Sequence, residues 1–176
     1  MIADNQRGQL GCETYINDRV VTVAELLRDS GYHTLLSGKW HLVGQASQSG
    51  TSPHDRGFEK SFTLLGDGAN HFNDREYVPG WPVIFMENGQ VVERPGNNTV
   101  YSNELYTNKL IEYVNSTYSD GQPLFMYLSF QVAHTPFQAP TDNIEKYNEM
   151  YSNMGWDQVR DQRFEKQKIW DFGTKI

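Results

Sequence analysis

Two short segments carry side chains that together could hold an anionic ester. Gly38-Lys39-Trp40-His41 sets an ammonium and an imidazole two residues apart, and Ala133-His134-Thr135-Pro136 sets a second imidazole ahead of a proline. On extended backbone, alternate residues face the same side, so Lys39 and His41 can address one ligand. Lysine supplies a compact point charge, and an imidazole donates to an oxyanion or moves a proton near neutral pH. A phosphate or sulfate ester site needs that combination. A plainer reading stands beside it: Lys39 is solvated, His41 bonds a loop carbonyl, and His134 is a structural loop histidine.

The other candidates are weaker. Asn70 and His71, in Gly68-Ala69-Asn70-His71-Phe72, and His54, in Pro53-His54-Asp55-Arg56-Gly57-Phe58, lie among turn formers and aromatics. They line a substrate pocket or tie down loops. His33 alternates with apolar neighbours and reads as a satisfied, half-buried histidine. Cys12 is the only cysteine, which excludes an internal disulfide and a cysteine zinc cluster, and no base neighbours it. The scattered acidic residues form no calcium or magnesium loop, so no metal site is assigned.

The elements that must position these groups follow from pattern. Thr22 and Glu25 make a capping box, Val23, Leu26 and Leu27 form one stripe, and Gly31 provides a stop, which predicts a helix over 22–30. Residues 32–37 read as a short buried strand that delivers Lys39, Trp40 and His41 into a loop. A long loop over 43–55 precedes a strand at 61–65. Asn88-Gly89 predicts a surface hairpin between 83–86 and 90–93. Residues 102–118 carry apolar groups at helical spacing behind Ser102 as cap, and 124–130 is a nearly unbroken apolar run suited to a buried parallel strand. Two polar helices are expected over 142–152 and 156–170. Alternating helices and strands indicate an α/β sheet whose ligands sit at the carboxyl ends of the strands. Trp40, Phe58, Phe62, Phe125, Tyr127, Leu26 and Leu27 are the expected core.

With 176 residues, 15 Lys and Arg against 22 Asp and Glu, and a formal charge of −7, the chain lacks the basic footprint of a nucleic-acid or anionic-membrane partner. Its 13% aromatic content is that of a folding chain. No apolar run is long enough to span a bilayer, and no basic-then-apolar leader opens the sequence, so neither a membrane span nor a signal peptide is expected. The triplets Asn97-Asn98-Thr99 and Asn115-Ser116-Thr117 match glycosylation acceptors, a pattern common by chance.

The run Gly31-Tyr32-His33-Thr34-Leu35-Leu36-Ser37-Gly38-Lys39-Trp40-His41-Leu42 closely resembles the second signature of the formylglycine-dependent sulfatases. The order continues as in arylsulfatases through Pro53 to Glu59, Gly68 to Phe72, Pro123 to Phe130, Ala133-His134-Thr135-Pro136 and Gln138-Ala139-Pro140. The resemblance covers about residues 15–150, with 151–176 as a helical extension. It implies an alkaline phosphatase/sulfatase-like α/β fold, a mixed sheet flanked by helices and here incomplete, as part of the N-terminal catalytic domain. It further implies that Lys39 and His134 bind sulfate oxygens, that His134 protonates the leaving oxygen, that His41 orients the hydrated formylglycine, and that Asn70 and His71 contact substrate. The implied partner is a small sulfate ester, the implied cofactors calcium and formylglycine. Cys12-Glu13-Thr14-Tyr15-Ile16 departs from the Cys-x-Pro/Ser-x-Arg segment that yields formylglycine, and the family's paired Asp-Asp and Asp-Asn metal ligands have no counterpart. An incomplete sulfuric ester hydrolase needing further segments is therefore the leading expectation. A non-catalytic anion- or partner-binding remnant is the alternative, and a phosphoesterase of the same superfamily a third.

Overall fold

In the computed structural model, which describes residues 6, 9–13, 15–43, 52–66, 68–96 and 99–169, the capping box closes as its spacing requires. Thr22 Oγ1 accepts from the Glu25 amide at 3.1 Å, Glu25 Oε2 accepts from the Thr22 amide at 2.6 Å, and helix α1 (Val23–Asp29) follows. The face it buries differs from the expected stripe. Ala24 is buried, whereas Val23 and Leu26 are 58% and 59% exposed. The cause is close approach at Gly57, where a Cβ would overlap the Glu25 amide nitrogen. Only a small residue fits so near the underlying loop.

Strand β1 (His33–Lys39) has five consecutive buried residues, Thr34 to Gly38. A strand covered on both faces in this way reads as a continuous rather than alternating apolar run. It pairs in parallel with β2 (Lys60–Leu64) on one side and β5 (Leu124–Ser129) on the other. Strands β3 (Phe85–Glu87) and β4 (Gln90–Val92) extend the sheet antiparallel beyond β2, giving the order β4-β3-β2-β1-β5. The hairpin turn has positive φ at both central residues, 49° at Asn88 and 81° at Gly89, as a type I′ turn demands. It is more than the expected surface hairpin: Phe85 is buried and stacks on Phe62 with centroids 5.7 Å apart.

The two faces of β1 carry separate cores. Leu35 joins Phe62, Leu64, Phe85 and, from helix α2 (Ser102–Thr117), Leu105, Tyr106 and Tyr113. Leu36 joins Ala24, Trp40, Val43, Phe58 and Leu65. Trp40, Phe58 and Phe62 are thus core residues as expected, and Phe125 packs partly against Phe58 at 6.0 Å. Tyr127 is not: it is 47% exposed and Met126 50%, because β5 is the edge of the sheet among the described residues and not a strand enclosed on both faces. Ser102 also departs from expectation. Tyr101 holds the cap position without a side-chain bond to the helix amides, and Ser102 is the first helical residue with its hydroxyl turned elsewhere.

The chain divides into two compact units, Met1–Gln138 and Ala139–Ile176. The second contains helices α3 (Thr141–Ser152) and α4 (Trp156–Ile169), neither of which buries a residue. The residues 44–51 of the expected long loop, and Asn97 and Asn98 of the first acceptor triplet, lie outside the described residues. The second triplet ends at Thr117, buried in the last turn of α2.

Two polar devices hold the framework. Arg56 is 3% exposed, and its guanidinium donates to the carbonyls of Ile16 (3.2 Å), Asn17 (2.9 Å) and Val20 (2.5 Å) and to Glu25 Oε2 (3.3 Å). At the amino end of β1, His33 Nδ1 lies 2.8 Å from Glu59 Oε2 and Nε2 lies 2.6 Å from Asp120 Oδ2. Both ring nitrogens can donate at once only when the imidazole is protonated. The Asp120 and Glu59 carboxylates accordingly raise the His33 pKa, against a smaller opposing effect of burial.

Gly38 has φ 132°, and a Cβ there would overlap the Ser129 carbonyl oxygen. Gly38→Ala is therefore expected to cost about 2–5 kcal/mol, read as a lowered urea midpoint, since it combines backbone strain with overpacking. An unchanged midpoint would overturn the close approach. The His33 bridge sets a pH dependence. A raised folded-state pKa gives stability that is complete below the unfolded value of about 6.5 and is lost as pH rises through the folded value. The unfolding free energy should fall over that interval on the alkaline side of pH 6.5, and His33→Gln should flatten it. An equal slope in both proteins would rule out the bridge.

Candidate functional site

Three neighbouring parallel strands bring their carboxyl ends to one edge of the sheet. The β1–β2 hydrogen bonding continues past the strands, with the Trp40 amide donating to the Leu64 carbonyl at 2.9 Å and the His41 amide to the Leu65 carbonyl at 3.0 Å. On the other side Gly38 is in register with Ser129, the last residue of β5. Lys39 and the loop beginning at Phe130 therefore leave the sheet side by side. Lys39 is half-buried, Trp40 buried and His41 exposed. His41 has φ 55°, an uncommon left-handed conformation for a residue other than glycine. Regular alternation thus stops at His41, which departs from the extended geometry expected of the Lys39–His41 pair.

The loops after β2 and β5 are laced together. Gln131, 3% exposed, donates from Nε2 to the Ala69 carbonyl at 2.6 Å, and the His71 amide donates to Gln138 Oε1 at 2.9 Å. Tyr101 Oη donates to the Gln138 carbonyl at 3.1 Å. A Cβ on Gly68 would lie 3.8 Å from His134 Nδ1, so the two loops pass at van der Waals distance. The β5 loop contains two cis peptides, Val132–Ala133 and Thr135–Pro136.

His134 is exposed, with Nδ1 2.7 Å from the Thr135 carbonyl oxygen and the Tyr77 ring edge-on at 6.3 Å. A carbonyl only accepts, so the proton resides on Nδ1. Nε2 is then the ring nitrogen that carries the lone pair. His71 differs in every respect. It is wholly buried, its Nδ1 is 2.8 Å from Ser102 Oγ, its carbonyl accepts from the Ser102 amide at 2.8 Å and from Arg94 Nη2 at 3.2 Å. Burial lowers its pKa and nearby His134 adds to that, against the backbone carbonyls of His134 and Pro136, which favour the charged ring. His71 is a neutral imidazole near pH 7.

The structure thus brings His134, Gly68 and His71 into one cluster and sets Lys39 and His41 on the same sheet edge. Asn70 is half-buried, and its Oδ1 accepts from the Phe72 amide at 2.9 Å. His54 lies elsewhere: its Nδ1 is 3.2 Å from the Phe58 carbonyl oxygen, and it lines a cleft of ≈ 550 Å³ with His33, Glu59, Lys60 and Asp120 near the amino ends of β1 and β2. Cys12 is half-buried, with its amide donating to the Gln9 carbonyl at 2.7 Å. Among the described residues no three His, Cys, Asp or Glu side chains gather as a metal site, and no helix is long and apolar enough to cross a membrane. Gln131, Gln138 and Ser102 escape a reading of chemically active residue types, since their importance comes from partners 31 to 67 positions away.

Comparison with known proteins agrees with the motif order. The Sulfatase family model matches residues 4–171. An arylsulfatase of Klebsiella aerogenes is 35% identical over 168 residues, 94% of this chain and 35% of that protein. An uncharacterised sulfatase of Schizosaccharomyces pombe is 36% identical over 167 residues, 92% of this chain and 29% of that one. The chain therefore spans about a third of the length of these relatives. Among solved structures, the PsFucS1 sulfatase from Pseudoalteromonas sp. superimposes with a TM-score of 0.54 at 23% identity, over 81% of this chain and 31% of that one. Ps i-CgsB gives 0.60 at 23% identity, over 73% and 30%. These neighbours share the alkaline phosphatase-like sheet.

The Gln131 bond yields a direct test of the lacing. Gln131→Ala leaves the Ala69 carbonyl buried without its donor, so a loss of about 1–3 kcal/mol is expected in denaturant unfolding. Faster amide exchange at residues 68–72 should accompany it, and unchanged exchange there would disprove the lacing.

Proposed function

The chain belongs to the sulfatase family, and from that premise we propose that it forms the sulfate-binding part of an arylsulfatase-like sulfuric ester hydrolase. The observation that carries the reading is the delivery of Lys39 and the His134 loop to one sheet edge by adjacent strands in fixed register, Gly38 opposite Ser129. In this reading the Lys39 ammonium neutralises sulfate oxygens as a point charge. His134, protonated at Nε2, donates to the ester oxygen; as the S–O bond breaks, that proton passes to the leaving oxygen. His41 orients the nucleophile, and Asn70 and His71 shape the wall behind it.

The family's chemistry also depends on a divalent ion, calcium by resemblance, and on formylglycine. The described residues gather no metal-ligand cluster, and Cys12 is followed by Thr14 and Ile16 in sequence where the modification segment carries Pro or Ser and Arg, so neither group fits. No step is assigned through them. A charge cradle without a nucleophile keeps only positioning and partial stabilisation, and removing a covalent nucleophile typically costs orders of magnitude in rate.

The expected outcome is binding of inorganic sulfate without turnover. Titration of the 176-residue chain with sulfate, followed by NMR, should shift Lys39 and His134, and Lys39→Ala should weaken binding by about 10- to 100-fold, the loss of a charge-assisted contact worth roughly 1.5–3 kcal/mol. Hydrolysis of an aryl sulfate that persists in the parent but vanishes in Cys12→Ala would contradict the reading and make Cys12 a nucleophile. Tighter binding of phosphate than of sulfate would favour the phosphoesterase alternative. Sulfate binding that Lys39→Ala and His134→Ala leave untouched would place the anion elsewhere.

A further inference from the structure

The loop between β2 and β3 sets one aromatic ring beside His134, by a short and closely tied path. Gln131, three residues before His134, donates to the Ala69 carbonyl at 2.6 Å. Ala69 forms an antiparallel bridge with Glu76, and the Asn70 amide donates to the Arg75 carbonyl at 3.0 Å. Tyr77 is the next residue. Beyond it, Glu76 Oε2 accepts from the Gly80 amide at 3.2 Å and the Trp81 amide donates to the Val78 carbonyl at 3.0 Å, so the chain is fastened on both sides of the ring.

The Tyr77 ring stands nearly perpendicular to the His134 imidazole, at 86°, with centroids 6.3 Å apart. Such an edge-to-face pair is a preferred aromatic geometry. The core tyrosines Tyr106 and Tyr113 are enclosed, whereas Tyr77 is 41% exposed. It is positioned as firmly as a core residue and left uncovered. A ring with only two side-chain torsions and an open flank offers contact area at low ordering cost. His134 Nδ1 is engaged at the Thr135 carbonyl, 2.7 Å away, which leaves Nε2 to face a ligand. In the sulfate-binding reading that nitrogen meets the leaving oxygen at about 3 Å. The alcohol group on this oxygen then lies against whatever flanks the imidazole, and Tyr77 flanks it.

We propose that Tyr77 is a specificity-determining residue, whose open ring beside His134 receives the alcohol part of the ester when that part is an aryl group. The composition of the adjoining turn selects the class. Val78, Pro79, Gly80 and Pro82 bring no hydroxyl, amide or charged side chain to a polyhydroxylated alcohol, and Trp81 adds a second exposed ring. An alcohol rich in hydroxyls would give up its water there without replacement partners, whereas a flat apolar ring loses nothing. This deepens the proposed sulfate-binding reading and rests on it for the place of the sulfate.

The full 176-residue chain is titrated with inorganic sulfate, methyl sulfate and phenyl sulfate and followed by NMR. Phenyl sulfate should bind about 3- to 10-fold more tightly than methyl sulfate, the scale of one aromatic pair, and its ring protons should show Overhauser contacts to the Tyr77 ring. Tyr77→Ala should abolish that preference while inorganic sulfate binds as in the parent; a merely structural role would weaken all three anions alike. Tyr77→Phe should keep the preference, and Tyr77→Leu, apolar but without a flat face, should lose most of it. A phenyl preference undiminished in Tyr77→Ala, or equal weakening of the three anions, overturns the proposal. Tyr77-dependent binding of glucose 6-sulfate tighter than that of phenyl sulfate overturns the aryl assignment. If inorganic sulfate moves neither Lys39 nor His134 in the parent, the sulfate-binding reading fails and the proposal falls with it. If it moves both and phenyl sulfate gains nothing over methyl sulfate, the proposal alone falls.

Discussion

The carboxyl edge of this sheet depends on how closely β1 and β5 pass at Gly38 and Ser129. Only a residue without a Cβ lets the Ser129 carbonyl sit there, and that contact brings two chain segments far apart in sequence to the same point. Each segment then turns away from the sheet with a polar cargo: Lys39 and His41 from one, His134 from the other. A methyl group at 38 would overlap the Ser129 carbonyl and force the two strands apart where Gly38 pairs with Ser129, straining the pairing that sets the polar groups on one edge. The glycine that precedes Lys39 is thus a structural requirement of the site and not merely a strand terminator.

Beyond the sheet, polar bonding replaces apolar packing as the means of holding the loops. Loops carry function when a rigid scaffold positions them, and here the positioning is done by amides and imidazole: Gln131 on Ala69, Gln138 on His71, His71 on Ser102. Each bond joins residues at least 31 positions apart, so the cluster exists only when β2, α2 and β5 are in place together. Such networks are costly to satisfy in part, because each buried group left over carries its full desolvation penalty. The same logic at the opposite end of the sheet ties His33 to Glu59 and Asp120, and there the charge of the ring makes the tie dependent on pH.

Much of this was legible in the chain. The capping box at Thr22, the apolar run of β1, the Asn88-Gly89 turn and the helix over 102–117 are local devices, and each forms where its residues stand. The failures share one origin. Leu26 and Tyr127 are apolar residues at core-like spacing, yet which face of an element is covered depends on its neighbours; Gly57 admits α1 through Ala24, and β5 lies at the sheet edge. Ser102 looked like a cap because it precedes a helical pattern, whereas its hydroxyl is engaged by a ring 31 positions earlier. The motif residues Lys39, His41 and His134 were recognisable by type, and the strand register that sets them on one edge follows from the α/β pattern. The left-handed backbone of His41 and the enclosure of His71 were not, since no residue type encodes either.

Arg56 has a further consequence for how this molecule tolerates change. Its buried guanidinium recognises the carbonyl oxygens of Ile16, Asn17 and Val20, so the approach to α1 is held by main-chain atoms that every amino acid possesses. Side chains add to that hold, with Asn17 Oδ1 accepting from the Arg19 amide at 2.9 Å and Asp18 Oδ1 lying 3.9 Å from Arg56 Nη1. Most of the hold still comes from one residue distant in sequence. A lysine at 56 would supply one compact ammonium where a planar fork now reaches three carbonyls and a carboxylate, so the path into α1 depends on the shape of one buried side chain.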